Sequence, residues 1–424
     1  MMAAPIEIVI LGGNLGGVGT AHYLLRHTIP QLKRLDPTKS YHITLVTPNT
    51  SLFFKIASPR ALINSTLIPE AKIIRPLAEG FKKYSAEQFE IVHGIATSLD
   101  LANRSLSIAS SPAGSATEDN SSEKRNLHYD SLIISTGTTS ASALWTLHND
   151  ETLTTKALHS MHELLPKATS ILVAGGGPVG IETSGEIASE YPNAKITLLS
   201  GASRLLPKQK AALSARAQAY LEHQAHVEVI HDIRVVGSKT TAEGATVVEL
   251  SDGKEKTVDI YIDATGGVPN SEFLPKEWLD ESKRVITKDA YFRVRGKSAE
   301  DEDTKGVYAV GDIVAGSANT LMEMDAMVPV ACSSLAVDTI GAKAAPNTGF
   351  LSGLLSKFFG DRNAAPVQKE FKPMKDTILV PIGRDGGVGL VMGWSAPSWL
   401  IRVIKGKSFL LDFVEPLLSG EKWK

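Results

Sequence analysis

The sequence predicts an α/β fold: two successive βαβ units of Rossmann-like type, followed by a small α+β unit at the C-terminal end. Three observations predict it. Residues 171–174 form a short apolar run, Gly175, Gly177 and Gly180 follow at G-x-G-x-x-G spacing, and a helical stretch opening on Pro178 and Val179 and carrying Glu182 and Glu186 comes next. A related pattern opens the chain, where residues 6–11 lead into Gly12-Gly13-Asn14-Leu15-Gly16-Gly17. Finally, the apolar run Val307-Tyr308-Ala309-Val310 ends in Gly311-Asp312. In such a loop the first glycine makes the tight turn, the second lets backbone approach a pyrophosphate, and the third lets helix and strand pack closely. The helix that follows offers free N–H groups to the phosphates.

In the first unit a helix over residues 18–34 and a strand over 42–46 complete the βαβ pattern. Asn14 stands where the second glycine is usual. Asparagine tolerates positive φ, so the turn is kept with less room for a pyrophosphate. The end of the second strand ordinarily carries an acid for ribose hydroxyls. Here it reads Thr47-Pro48-Asn49, which implies neutral ribose contacts. Residues 51–64 mix aromatics with Lys55 and Arg60 and fit a helix packing an apolar face. Strands are expected at 89–95 and 105–108, and the Ser-rich stretch 110–126 fits a disordered hairpin tip. A strand at 131–135 then runs into Thr136-Gly137.

The second unit continues with a strand at 195–199 that ends in Ser200-Gly201, again without an acid. Arg204 lies just beyond, which tilts the choice of nicotinamide cofactor towards the 2′-phosphate of NADPH. Strands at 227–230, 234–238, 245–250 and 257–262 are expected to form a meander, whose last strand leads to Thr265-Gly266. A helix is expected over 326–341, with Cys332 inside it as a core residue. Residues 350–359, FLSGLLSKFF, have amphipathic spacing that suits core packing or contact with a membrane surface. Strands at 377–382 and 389–394 flank a glycine-rich turn, and a basic helix is expected over 398–405.

Composition narrows the function. A formal net charge of −2 leaves no basic footprint, so nucleic acid is not an expected partner. A single cysteine excludes a C-x-x-C redox pair, so electrons cannot leave through a protein dithiol. No run approaches the roughly 18 apolar residues of a membrane span. The first strand begins almost at once, so no cleavable targeting peptide is expected, and Met-Gly lipidation is not encoded. The expectation is a cytoplasmic protein, compatible with a peripheral membrane contact and with a homodimer.

These markers, in this order, resemble the two-dinucleotide flavoproteins of the pyridine nucleotide-disulfide oxidoreductase superfamily. The tail, with its 383–389 turn, Trp399-Leu400-Ile401-Arg402-Val403-Ile404-Lys405 and terminal Trp423-Lys424, resembles the apoptosis-inducing-factor-like group. That resemblance implies an FAD unit of residues 1–165 and 266–345, an NAD(P)H unit of 166–265 inserted in it, and a C-terminal unit of 346–424. It implies FAD on Gly12, Gly13, Asn14, Leu15, Gly16 and Gly17, with Lys55, Arg60, Thr136, Gly137 and Asp312 in contact, and Val92 or His93 meeting the adenine. Animal members have Asn where Lys55 stands. NADH or NADPH is implied on Gly175, Gly177, Pro178, Val179, Gly180, Ser200, Arg204, Thr265 and Gly266. Glu182 is expected to face the nicotinamide, and a Glu182–Lys405 pair is expected near the reacting centre. In such flavoproteins the helix after Gly-Asp aims its positive end at the flavin. Hydride transfer to flavin and reduction of a quinone such as ubiquinone or a naphthoquinone follow from the resemblance, as does a location on lipid droplets or the mitochondrial outer face. A slow redox-sensing or death-signalling flavoprotein is the competing class, and a pathway-specific small molecule or oxygen as acceptor is the third reading.

Overall fold

The computed structural model describes residues 4–110, 125–297, 302–340, 365–374 and 376–423. The amphipathic stretch 350–359 and nearly all of the Ser-rich stretch 110–126 lie outside the described residues. The first sheet has seven strands in the order Val307–Ala309, Ser131–Ile134, Ile6–Leu11, Tyr41–Thr47, Phe89–Asp100, Ser105–Ser110 and Arg125–His128. Its first five strands run parallel, and an antiparallel hairpin extends it. The strand Ile6–Leu11 has the burial of a central parallel strand, since Ile8, Val9, Ile10 and Leu11 are all buried. The short strand Val307–Ala309 joins this sheet some 170 residues after Ser131–Ile134, so the chain leaves the sheet and returns to it.

Between these visits lies a second parallel sheet, ordered Glu228–His231, Lys195–Ser200, Ser170–Ala174 and Ile260–Asp263. In both sheets the glycine loop leaves the C-terminal end of a central strand, where open α/β sheets place their ligands. The helix Pro178–Glu190 follows the second loop.

Four expectations are corrected. The meander contains only Val235–Thr240, Thr246–Leu250 and Glu255–Val258; the strands on either side of it belong to the parallel sheet. The run expected as one strand over 257–262 breaks at Asp259, because the Asp259 carboxylate accepts from the backbone N–H of Thr169 and Ser170 and pins a kink there. The helix expected from 326 starts at Leu321. Thr320 Oγ1 accepts from Glu323 N and caps the earlier start, and Glu323 Oε2 accepts from Ala318 N and ties down the turn before it. Residues 51–64 are not one helix but a strand Ser51–Phe53, a 3₁₀ turn Lys55–Ala57 and a single helical turn Ser58–Ala61.

The C-terminal unit is a small antiparallel sheet, Ile378–Pro381, Gly387–Val391 and Trp394–Ser395, with helical turns over Ser398–Ile401 and Arg402–Gly406. It docks on the helix Pro178–Glu190. A Cβ at Gly185 would lie 2.7 Å from Gly383 N and 2.8 Å from Ile382 Cα, so this backbone approach requires glycine. The last residues return to the first unit, where His22 stacks on Phe81 with ring centroids 4.2 Å apart and hydrogen-bonds Leu418 O at 2.8 Å. Burial lowers the His22 pKa to about 4, so the imidazole is neutral and its Nε2–H is the donor.

Candidate active site

A groove runs across the C-terminal end of the first sheet. Gly12, Gly13, Asn14, Leu15, Gly16, Lys55, Thr136, Gly137 and Asp312 all line it. Gly17 lies beneath, and a Cβ there would be 1.8 Å from Gly12 O. The second loop repeats this arrangement, with 2.0 Å between a Cβ on Gly180 and Gly175 O. Gly12 and Gly175 have φ of 107° and 130°, and a Cβ on either would strike the carbonyl of Ser135 or Ala264 respectively. A Gly17→Ala change is therefore expected to separate helix from turn and give a protein that purifies without flavin absorbance, with FAD affinity reduced at least about tenfold. Parent-like flavin content in that variant would contradict the arrangement.

Asn14 does not use positive φ. Its backbone is extended, at φ −104°, and its Oδ1 accepts from Phe53 N at 3.3 Å. The side chain is thus tied sideways to the Ser51–Phe53 strand. No side chain caps the helix Leu15–Tyr23, so its first-turn amides are available at the groove to an anionic ligand. Across the groove Lys55 Nζ and Asp312 Oδ2 pair at 2.7 Å, and the Arg284 guanidinium donates to Asp312 O and, at 2.9 Å, to Asn319 Oδ1. The start of the helix Leu321–Ile340 also borders the groove. These features fit FAD: a glycine cradle, first-turn amides free of side-chain caps, and buried polar atoms, Asn49 Oδ1 and His148 Nε2, that lack partners among the described residues and belong to lining residues.

Three residues expected at FAD are not among those lining this groove. Val92 and His93 are one strand outside the groove, paired with Val46 and Thr47, and do not line it. His93 Nε2 donates to Pro48 O at 2.7 Å and anchors the loop. Arg60 points into a buried ion pair instead, its Nε and Nη2 donating to the two carboxylate oxygens of Glu186 at 2.6 and 2.7 Å. The Thr47 hydroxyl donates to Asn49 O at 3.1 Å, and its side chain packs on Gly13. Ser200 repeats this against Gly176, with its hydroxyl on Ala202 O.

Around the second loop, Gly175, Gly177, Pro178, Val179 and Gly180 form the turn into the helix Pro178–Glu190. Among the described residues, apart from the chain neighbours, nothing lies within 4 Å of where a Cβ on Gly177 or Gly266 would sit, which leaves room for a ligand beside both. Thr265 N and Oγ1 both donate to Asp263 Oδ1, at 2.9 and 2.6 Å, which fixes the turn into Gly266. Arg204 is turned away, its Nη2 donating to Pro207 O and Gln209 O at 3.0 and 3.2 Å.

The helix itself carries three acids at i, i+4 and i+8, all paired with cations from other elements. Glu182 meets Lys405 Nζ at 2.5 Å, Glu186 meets Arg60, and Glu190 meets Arg384. Lys405 also donates to Leu379 O at 3.3 Å. Phe409, fully buried, lies between two of the cations, with the Arg60 guanidinium 4.6 Å and Lys405 Nζ 5.8 Å from its ring centre. Burial is the largest influence on Glu182 and lifts its carboxyl to about 7 against the opposing pull of Lys405. Glu186 is raised by the same cause, opposed by Arg60. The expected Glu182–Lys405 pair is brought together; the pairs at Glu186 and Glu190 were missed, although the acid spacing along the helix was their signal.

A family model described as pyridine nucleotide-disulphide oxidoreductase matches residues 6–330. The chain is 32% identical over 438 residues to the oxidoreductase phnG of Penicillium herquei, covering 98% of this chain and 97% of that one. It is 22% identical over 416 residues to ferroptosis suppressor protein 1 of Mus musculus, covering 96% and 94%. Among solved structures, the sulfide:quinone oxidoreductase of Aquifex aeolicus superposes with a TM-score of 0.63 at 15% identity, covering 98% of this chain and 92% of that one.

Proposed function

This chain belongs to the pyridine nucleotide-disulphide oxidoreductase family, and from that premise we propose that it oxidises NAD(P)H through FAD and reduces a quinone-type acceptor. The observation that carries the reading is the buried Glu182–Lys405 pair, held between the second glycine loop and the C-terminal unit. Bound flavin would take up a hydride from the nicotinamide and pass two electrons onward. The single cysteine removes disulfide chemistry as the outlet. Reduction of a quinone to a quinol takes two electrons and two protons; a hydride from reduced flavin would bring both electrons and one hydrogen, and the pair would supply the remaining proton. Lys405 offers a cation for negative charge developing on the acceptor oxygen, and Glu182, with its carboxyl near 7, can pass a proton there.

A peripheral lipid contact fits the same segment. Lys405 faces inward, while Trp399 and Val403 are 64% and 58% exposed beside Arg402. Among the described residues no helix is long and apolar enough to cross a membrane.

NADPH is the proposed donor. Arg204 is spent on backbone carbonyls, but the stem of Arg234 covers Gly201, where a Cβ would come within 2.8 Å of Arg234 Cγ. The Arg234 side chain is exposed and, among the described residues, makes only a 3.4 Å bond to Gly201 O. It stands beyond Ser200, where an acid would disfavour a phosphate. Arg234→Ala is expected to lower kcat/KM for NADPH about tenfold and leave NADH unchanged, the size of a charge-assisted hydrogen bond. Equal losses with both donors would contradict the assignment. The reductase reading itself is tested by steady-state NADPH oxidation with a short-chain quinone. Rapid turnover supports it, whereas slow turnover with a long-lived charge-transfer band favours a redox sensor.

A further inference from the structure

A second cavity, of about 440 Å³, shares no lining residue with the flavin groove. One wall is a single stripe of the helical segment that leaves the first glycine loop: Tyr23, Arg26, His27, Pro30 and Arg34, at i, i+3, i+4, i+7 and i+11. The other wall is Ser333 and Ala336 of the helix Leu321–Ile340, together with residues of the extended stretch 365–369. At 1.5 Å per residue, Tyr23 stands roughly 12 Å along the segment from its start at Leu15, which separates the cavity from the loop.

Three cationic side chains, Arg26, Arg34 and Lys369, line this cavity and no carboxylate does, in a chain whose formal net charge is −2. Lys369 is fixed in place, because Ser333 Oγ accepts from its backbone N–H at 2.9 Å and its Nζ donates to the Tyr23 hydroxyl oxygen. Used as an acceptor there, the Tyr23 hydroxyl keeps its own proton for donation. His27 is spent on Trp423 O at 2.5 Å. Arg34 stands in the last turn of the helix Ile29–Leu35, where a cation is favoured with no ligand at all. Arg26 has no such explanation. It is half-buried and sits on the π turn Leu24–Thr28, a helix defect kept mostly at functional sites. Every other described arginine withdrawn from solvent has a partner: a carboxylate at Arg60, Arg75 and Arg293, and a backbone carbonyl at Arg104, Arg204, Arg216 and Arg284. Among the described residues Arg26 alone of this set has none.

A guanidinium partly removed from water calls for an acceptor, and its planar fork matches a phosphate. The groups around it are all donors as well. A carboxylate has two oxygens to share among them, whereas a phosphate monoester has three. We propose that this cavity binds a phosphate group, with the Arg26 guanidinium as its main donor and Lys369, Tyr23 and Arg34 around it. Pro30, Ala336 and the 77% exposed Val367 leave an apolar rim for the rest of the ligand. Phospholipid headgroups and soluble phosphorylated compounds both carry this group. The site does not depend on the flavin or quinone readings.

The test titrates the purified full-length protein with inorganic phosphate, followed by phosphorus NMR line width. The Kd is expected to be on the order of 1 mM. Arg26→Gln is expected to raise it at least about tenfold, the size of a lost charge-assisted bond. Arg26→Lys keeps the charge without the fork and is expected to lose less. Arg34→Gln, at an exposed position that leaves the packing alone, is expected to raise the Kd about threefold. Arg234→Ala, beside the second glycine loop, is expected to leave the Arg26-dependent binding unchanged, which separates this site from a phosphate bound where NADPH would lie. The second arm sediments the protein with vesicles of phosphatidylcholine alone, or of phosphatidylcholine and phosphatidic acid at about three to one. Sedimentation with the anionic vesicles that Arg26→Gln abolishes assigns the phosphate to a lipid headgroup. Intact phosphate binding without such sedimentation assigns it to a soluble compound. Equal phosphate affinity in the parent and both Arg26 variants would overturn the site, as would a parent that binds neither phosphate nor anionic vesicles.

Discussion

Arg60→Ala is expected to destabilise the folded protein by about 3–5 kcal/mol, the cost of leaving a buried carboxylate without its cation. The Arg60 and Glu186 side chains are only 8% and 1% exposed, and the guanidinium meets both carboxylate oxygens. Arg60 Nη1 also donates to Lys407 O at 3.2 Å, so the change loosens the C-terminal unit as well as the helix Pro178–Glu190. Replacing both partners at once, as Arg60→Met with Glu186→Leu, is expected to recover most of the loss, because two desolvated charges are removed together. Urea denaturation measures both variants. A loss below about 1 kcal/mol for Arg60→Ala, the range of an exposed pair, would show that water screens the pair in solution.

The second large effect is catalytic. Glu182→Gln and Lys405→Ala are each expected to lower quinone-dependent NADPH oxidation on the order of 100-fold while flavin content stays at parent level. The parent is expected to show an inflection in turnover near pH 7, because burial places the Glu182 carboxyl there. Glu182→Gln removes the inflection. Lys405→Ala moves it upward, since the cation that favours the ionised carboxylate is gone. The same group couples stability to pH. Its folded value of about 7 lies above the ordinary 4.5, so the folded chain keeps a proton that the unfolded chain releases between those values. Its contribution to stability is full below about 4.5 and is lost as pH rises through about 7. Activity and a pH profile identical to the parent in both variants would remove the pair from the chemistry.

Local patterns carried much of this architecture into the sequence. Both glycine loops, their strands and the Gly311-Asp312 turn are short-range features whose spacing reflects backbone contacts, such as Gly17 against Gly12 O. The Glu182–Lys405 pair spans 223 positions and was accessible only through resemblance of the tail to related flavoproteins. Arg60 shows the limit of such transfer: the resemblance implied contact with FAD, but its partner here, Glu186, is 126 positions away. At Arg204 the competing partners are local, the carbonyls of Pro207 and Gln209 three and five positions on, and residue spacing alone does not show that fold-back. The missing acids at Thr47 and Ser200 were legible, but their cause was not. Each small side chain packs against its glycine loop, 2.6 Å (Thr47 Oγ1) and 2.5 Å (Ser200 Oγ) from where a Cβ on Gly13 or Gly176 would sit. The cap by Thr320 was legible in principle, as a Thr followed three positions later by Glu.

The central claim is that this chain holds FAD and passes electrons from NADPH to a quinone. Anaerobic titration of the purified protein, followed in the flavin absorption bands, tests it most directly. The expected result is a yellow protein whose flavin is bleached by about one equivalent of NADPH and recovers its colour when a quinone is added. A colourless protein that takes up no FAD, or a bound flavin that neither NADPH nor NADH reduces, would contradict it.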